Sequence, residues 1–387
     1  MKMSDRLHRL PPQFFATLVQ KVARAVSEGR DVINLGQGNP DQPTPSHIIK
    51  ALQDAAELPL NHKYSPFRGT SELKQAAADF YKKEYGVELD PDKEIAILFG
   101  TKIGLVELPL ALMNEQELML LPDPGYPDYL SGVSLANVQF DTMPLLEEKN
   151  YLPDYSKLTE VQKKNARLMY LNYPNNPTGA IATKEFFEET VQLAKEHDIA
   201  VVHDFAYGAI GFERKKPISF MQVPGAKEVG VEMYTLSKTY NMAGWRVGFA
   251  VGNEEIIEAI NLIQDHLFVS LFPAIQTAAA AALKEGQECV DELVSLYEKR
   301  RNTLVKAAEK IGWEIKAPQG SFFAWLAVPN GYTSEEFADL LLEKADVAVA
   351  AGKGFGTHGE GYVRVGLLVD EDRLEEAMDR IAKLELF

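Results

Sequence analysis

From about residue 47 to 250 the chain alternates between two textures, and that alternation limits the folds open to it. Apolar runs of strand length occur at 94–99 (EIAILF), 117–121 (ELMLL), 137–140 (NVQF), 166–171 (ARLMYL) and 198–204 (DIAVVHD). Segments with apolar residues at helical spacing lie near 47–57, 71–84, 102–113, 127–135 and 183–197. Strands buried on both faces read as continuous apolar runs, so the pattern predicts an α/β fold, a mostly parallel central sheet flanked by helices. Ligands in such sheets gather at the carboxyl ends of the strands.

After Phe272-Pro273 the texture changes to long helical stretches, then the shorter strands SFFAWLAV, DVAVA and GYVRVGLL, and a last helix near 371–385. A chain of 387 residues exceeds one ordinary core. We therefore expect a large domain over 46–272 and a smaller, discontinuous α+β domain from 1–45 and 273–387. Phe14, Phe15, Leu18, Val19, Val22 and Val26 recur at helical spacing, which predicts an amphipathic N-terminal arm lying on the body or on a neighbouring subunit.

The net charge of −16 excludes general affinity for nucleic acid or anionic membranes, although a local pocket can still hold an anion. Cys289 is the single cysteine, which leaves no internal disulfide and no thiolate cluster for zinc, and no metal is expected. The opening MKMSDRLHRLPPQFF lacks a signal-peptide core, and no apolar run reaches membrane-spanning length, so the expected location is the cytoplasm.

Several polar clusters fall where strands end. Lys238 follows the run VEMYTL, with Thr235 and Ser237 beside it and the planar cation Arg246 a little further on. An amine next to hydroxyls and a guanidinium suits pyridoxal phosphate, whose aldehyde a lysine captures. Asp204 ends IAVVHD; a carboxylate buried there needs a partner such as a protonated pyridine nitrogen, and Tyr207 follows three residues on. Asn176 is held before Pro177 in NNPTG. Gly100 and Thr101 stand between a strand and a helix start, where free N–H groups make an anion site. Tyr126 lies in the proline-held DPGYPDY, and Arg364 sits inside an apolar strand.

Taken singly, each has a plainer reading. Lys238 could be a solvated loop lysine, Asp204 a carboxylate bonded to backbone amides, Asn176 a turn former, Tyr126 simple packing and Arg364 half of an internal salt bridge. GFGTHG at 354–359 has the glycine spacing of a dinucleotide fingerprint, yet it runs into a strand instead of opening a helix, so a nicotinamide enzyme is discounted.

With NNPTG, HDFAYG, TLSK, GWRVG and YVRVG in this order, the whole chain resembles the class I/II aminotransferases of the pyridoxal-phosphate-dependent fold type I. That resemblance implies a homodimer with active sites at the subunit interface and a catalytic set of Lys238, Asp204 and Tyr207. Lys238 would carry the cofactor, Asp204 would pair its ring nitrogen, Asn176 and Tyr207 its ring oxygen, and Tyr126 would stack on the ring. Gly100, Thr101, Lys102, Thr235, Ser237 and Arg246 would form the phosphate cup, joined by Tyr64 of the other subunit. Arg364, with Gly36 and Asn176, would hold the substrate carboxylate. Ala350-Ala351-Gly352 departs from the proline that many relatives carry before that glycine.

The implied activity is transfer of an amino group between an amino acid and a 2-oxo acid in a ping-pong cycle. Aspartate-preferring members place an arginine where this chain reads DHLFVSLFPAIQ, and Leu267, Phe268 and Val269 there suggest an apolar lining. The chain also resembles the bacillar aminotransferases of methionine salvage, which points to methionine and 4-methylthio-2-oxobutyrate. The alternatives are an aminotransferase for aspartate, alanine, aromatic amino acids or LL-diaminopimelate, or a carbon–sulfur lyase.

Overall fold

The computed structural model describes residues 2–387. The first strand in the chain, after the N-terminal helices, is the two-residue β1 (Ile33–Asn34). Seven strands then build the central sheet: β2 (Ile95–Leu98), β3 (Leu118–Asp123), β4 (Gln139–Pro144), β5 (Ala166–Asn172), β6 (Ala200–Asp204), β7 (Gly230–Thr235) and β8 (Gly248–Gly252). Their order is β2-β8-β7-β6-β5-β3-β4, and β8 alone runs against the others.

Side-chain alternation divides each strand between two cores. Ala96, Leu98, Val202, Met233 and Ala250 face a layer that holds Leu105, Leu108, Ile257 and Ile260 from the helices Thr101–Leu112 and Glu254–Leu267. Ile95, Ile97, Val201, Tyr234, Phe249 and Val251 face the opposite layer with Leu73, Phe80 and Tyr81 of the helix Ser71–Tyr85. Residues of β2, β7 and β8 are buried throughout, which explains their unbroken apolar runs. At the edge, β4 is exposed at Gln139, Phe140, Thr142 and Pro144, as a strand with one free side should be.

The small body has a three-stranded antiparallel sheet of β9 (Phe323–Ala327), β11 (Ala350–Ala351) and β12 (Tyr362–Gly366), with β12 in the middle. Between them β10 (Val347–Ala348) pairs in parallel with β1, so the N-terminal segment is stitched into this body. Ala350, at the site of the departure noted in the sequence, pairs in register with Arg364.

Two expectations need correction or sharpening. Helix Pro273–Lys284, expected to open the second domain, packs on the helices Ser46–Ala56 and Ser71–Tyr85, and its Ala278, Ala279, Ala280, Ala282 and Leu283 lie in the core of the large sheet. Its alanines allow close helix–helix approach, so the change in texture at 273 is one of packing within the large body. The arm helix Phe14–Ser27 lies on its own chain: Phe14, Phe15 and Leu18 pack on the core, while Ala25 is buried against Leu342 and Ala348. Val19 and Val26 stay exposed.

Among the described residues no helix is long and apolar enough to cross a membrane.

Candidate active site

A cavity of about 470 Å³ opens where β5, β6 and β7 end. The strand ends deliver Asn172, Asp204 and Thr235 to its floor, and the one-turn helix Leu236–Thr239 that follows β7 lifts Lys238 into it.

The amine of Lys238 donates to the carbonyl of Gly38 at 2.8 Å and lies 5.4 Å from the ring centre of Phe322. Burial lowers its pKa to about 8, and the cations Arg364 and Arg246 push the same way against a smaller opposing pull from Asp204. At pH 7 roughly a tenth is therefore the free amine, far more than in an ordinary lysine, and that is the form a nucleophile or general base requires.

Asp204 is buried. Its Oδ2 accepts from the hydroxyl of Tyr129 at 2.8 Å, while Oδ1 is buried without any partner among the described residues. Burial pushes the carboxyl up to about 6, with the Tyr129 hydrogen bond and His203 pulling it back. An orphaned carboxylate oxygen costs several kcal/mol, roughly, unless a cationic donor meets it, so the site is made for one. Asn172 braces the same floor: its Nδ2 donates to the Asp204 carbonyl at 2.7 Å, and its Oδ1 accepts from the backbone N–H of Asn176 at 2.8 Å.

Arg364 is almost wholly buried, and the salt-bridge reading of it fails. Its guanidinium donates to Asn176 Oδ1 and to the Gly36 carbonyl, both at 2.9 Å, and Nε is left unbonded. Among the described residues no carboxylate pairs with it. Instead the rings of Phe323, Phe355 and Phe15 lie 3.9, 4.8 and 5.1 Å from its central carbon. Burial lowers its pKa to about 10, so it remains a cation at neutral pH and awaits an anion. Tyr207 stands between the two groups in the cavity wall, edge-on to Phe322 and Phe323, and burial raises its pKa.

The other end of the cavity is built for an anion. Thr101 opens the helix Thr101–Leu112, and Gly100 before it has φ +78°; a Cβ there would sit 2.5 Å from Nη2 of Arg246. Thr235 caps the helix of Lys238, accepting from Ser237 N–H at 3.2 Å and donating to the Ser237 hydroxyl at 3.0 Å. Arg246 is held by a 2.7 Å bond from Nη1 to the Ala243 carbonyl, and no carboxylate among the described residues pairs with it.

Other expected residues stand apart from this set, Tyr64 among them as a residue expected to serve the other subunit. Lys102 lines the cavity, but its amine is pinned to Asp128 at 2.8 Å. Tyr64 is 90% exposed and outside the cavity. None of Leu267, Phe268 and Val269 lines this chain's cavity: Leu267 and Val269 are exposed outside it, and the Phe268 ring lies tilted against Phe99 with centroids 4.9 Å apart. The helix Glu254–Leu267 ends there, with Phe268 as its C-cap in extended conformation. The apolar wall comes instead from Phe15, Leu18 and Val19 of the arm, with Leu105 and Phe323. Gly36 admits that wall, since a Cβ on it would lie 2.6 Å from Leu18.

Tyr129 and Asn172, which orient Asp204 and Asn176, were not singled out from the sequence. Asn172 is the polar residue that ends the apolar run ARLMYL, the same kind of signal that marks Asp204, and that signal could have found it. Nothing local marks Tyr129.

The cofactor implied by the motifs fits this donor set. Asp204 Oδ1 lacks a cation, the Thr101–Ser237–Arg246 end lacks an anion, and Tyr126 walls the space between. Four cations line the cavity, Lys102, Lys238, Arg246 and Arg364, against the single carboxylate of Asp204. A chain of net charge −16 thus keeps a positive cavity for anionic ligands.

Known proteins agree with this geometry. The chain is 64% identical over 386 residues to the L-glutamine--4-(methylsulfanyl)-2-oxobutanoate aminotransferase of Bacillus subtilis, covering 100% of this chain and 97% of that one. It is 44% identical to an LL-diaminopimelate aminotransferase of Halothermothrix orenii, covering 100% and 99%. The substrate-bound structure of BacF from Bacillus subtilis superposes with a TM-score of 0.97 at 45% identity, covering 100% and 98%. The family model for aminotransferase class I and II matches residues 30–381. This chain therefore belongs to the class I and II aminotransferases, enzymes that use pyridoxal phosphate and move amino groups between amino acids and 2-oxo acids.

Proposed function

We propose that the substrate pair is methionine and 4-(methylsulfanyl)-2-oxobutanoate, with glutamine as an amino donor. The observation that carries this reading is the division of the cavity into one buried cation without an acidic partner, Arg364, and an apolar wall of Phe15, Leu18 and Val19. Arg364 takes the carboxylate common to amino and 2-oxo acids, while the wall accepts a flexible, polarisable thioether. The 64% identical relative, whose name specifies those compounds, supports it.

Pyridoxal phosphate, when bound, supplies an aldehyde that takes up the amino group and a ring that delocalises the electron pair left on Cα. Lys238, Thr235, Ser237, Thr101, Gly100 and Arg246 would hold it, with Asp204 Oδ1 at its ring nitrogen and Asn176 Nδ2 and Tyr207 at its ring oxygen. Lys238 acts as general base: it takes the Cα proton of the donor and, in the second half-reaction, returns one to Cα of the product. Phe15 and Leu18, both partly buried at the cavity wall, limit the access of water to that proton.

The working unit is a homodimer in the cytoplasm. Leu58, Leu60, Tyr64 and Phe67 are all more than half exposed within one short stretch, as a surface awaiting a second subunit would leave them. Tyr64 would then complete the partner's phosphate end.

Measurement of kcat/KM for methionine, leucine, phenylalanine, aspartate, alanine and diaminopimelate with one acceptor tests the substrate. Methionine should lead aspartate by about a hundredfold, because an unpaired carboxylate against the arm is costly to bury. Aspartate or diaminopimelate ahead by tenfold, or so, would reject it. Release of ammonia, methanethiol and 2-oxobutanoate from methionine without transfer to an acceptor would favour a carbon–sulfur lyase.

A further inference from the structure

The glycine-rich segment Gly352–Gly359, which has no phosphate to bind, joins β11 to β12 through two short turns, Gly352–Phe355 and Thr357–Gly359. It meets the large sheet at Asp123, the last residue of β3 and almost wholly buried. One oxygen of that carboxylate accepts from the backbone N–H of His358 at 3.0 Å, and the other from His358 Nδ1 at 3.0 Å. A carboxylate accepts at both oxygens, so Nδ1 carries the proton. Gly356 has φ +134°, and a Cβ on it would lie 2.1 Å from Asp123 Oδ1; glycine is what lets the segment close on the acid. The N–H of Gly125 adds a bond to the Phe355 carbonyl at 2.8 Å.

Both sides of this junction lead into the active site. Three residues beyond Asp123 the chain places Tyr126 in the cavity wall. Inside the segment, Phe355 packs its ring against the Arg364 guanidinium and edge-on to Phe14 and Phe15 of the arm, at 5.5 and 5.9 Å. Gly354 leaves room for the arm, since a Cβ on it would lie 2.1 Å from the Phe14 ring. The guanidinium has no acid to fix it; its position rests on two hydrogen bonds and three rings, and one of those rings is set by the junction.

We infer that Asp123 and His358 are positioning residues that clasp the two bodies together and so set the place of Arg364 relative to Tyr126. Substrate carboxylate affinity is the property they control. This rests on Arg364 being the carboxylate site, and not on methionine being the substrate.

The test uses the holoenzyme and whichever amino acid the wild type turns over best. In His358→Leu, KM for the amino acid and for the 2-oxo acid should both rise about tenfold with kcat within about threefold, because ground-state positioning is lost and the proton-transfer group is not. Bound-cofactor absorption and the melting temperature should stay close to wild type. His358→Asn, whose amide can donate from the place of Nδ1, should return KM to within about twofold. Phe355→Leu keeps the clasp but opens the cage, and should raise KM in the same direction. Titration with 4-(methylsulfanyl)butanoate, which has the carboxylate but no amino group, should show the same loss of affinity in His358→Leu. Unchanged KM in a folded His358→Leu enzyme overturns the inference, as does a parallel loss of kcat, KM and melting temperature that His358→Asn does not rescue. If His358→Leu does not fold, the carboxylate titration of His358→Ala, which removes only the side-chain half of the clasp, decides, and an unchanged dissociation constant there rejects the clasp. Failure of the Arg364 assignment is separable: wild-type and Arg364→Leu enzymes would then bind the carboxylate equally.

Discussion

The hydroxyl of Tyr129 donates to Oδ2 of Asp204 across 2.8 Å, and Oδ1 of the same carboxylate is left buried and unbonded. One oxygen is thereby fixed in direction, and the other is aimed at whatever cation enters the cavity. The arrangement makes the cofactor-free protein less stable than it could be, which is measurable.

Asp204 has a folded-state pKa of about 6 against an ordinary 3.8, so the native protein binds this proton more tightly than the unfolded chain. The stability gained from it is present below pH 4, roughly, and lost as pH rises through about 6. Cofactor-free Asp204→Asn should therefore resist urea better than cofactor-free wild type at pH 8, by at most about 3 kcal/mol, with the gap closing at pH 4. With cofactor bound the order should reverse, and single-turnover proton abstraction in Asp204→Asn should fall at least tenfold, roughly. Urea titrations at the two pH values and stopped-flow absorbance check both.

Lys238 should titrate near pH 8, well under an ordinary lysine, because burial and the two arginines disfavour its charge. Amine-labelling of the cofactor-free protein, read by peptide mass spectrometry, should reach half its limiting rate at this residue near that pH. Lys238→Ala should lose both the visible absorption of the bound cofactor and transamination. Retention of either would remove Lys238 from its role.

Arg364→Lys keeps the charge but cannot bridge Asn176 and Gly36 or lie flat against Phe323. KM for amino and 2-oxo substrates should rise by about tenfold to a hundredfold, more than kcat falls. Steady-state kinetics over both half-reactions test this; an unchanged KM would place the carboxylate elsewhere.

Tyr64 stands 90% exposed in the single chain. If it completes the partner's site, mixing inactive Tyr64 and Lys238 variants should restore part of the activity, since hybrid dimers contain one intact site. Absence of recovery after confirmed subunit exchange would count against a shared site.

The sequence by itself determined most strands of the central sheet and the chemical end of several, while the antiparallel β8 is not among the runs it marks. Runs such as IAVVHD and VEMYTL are apolar because both faces of the sheet are covered, and a polar residue at the end of such a run has only the strand mouth to occupy. Lys238, Asp204 and Asn176 are legible for that reason. Tertiary structure alone decided how those groups are completed. Tyr129 reaches Asp204 across 75 residues, Asn176 reaches Arg364 across 188, and the Gly36 carbonyl reaches it across 328. It also decided that within one chain the apolar wall comes from the arm and not from 267–269, and that helix Pro273–Lys284 packs with the large body. Local periodicity states which face of an element is apolar. Which other element covers that face depends on chain topology, and no window of neighbouring residues contains it.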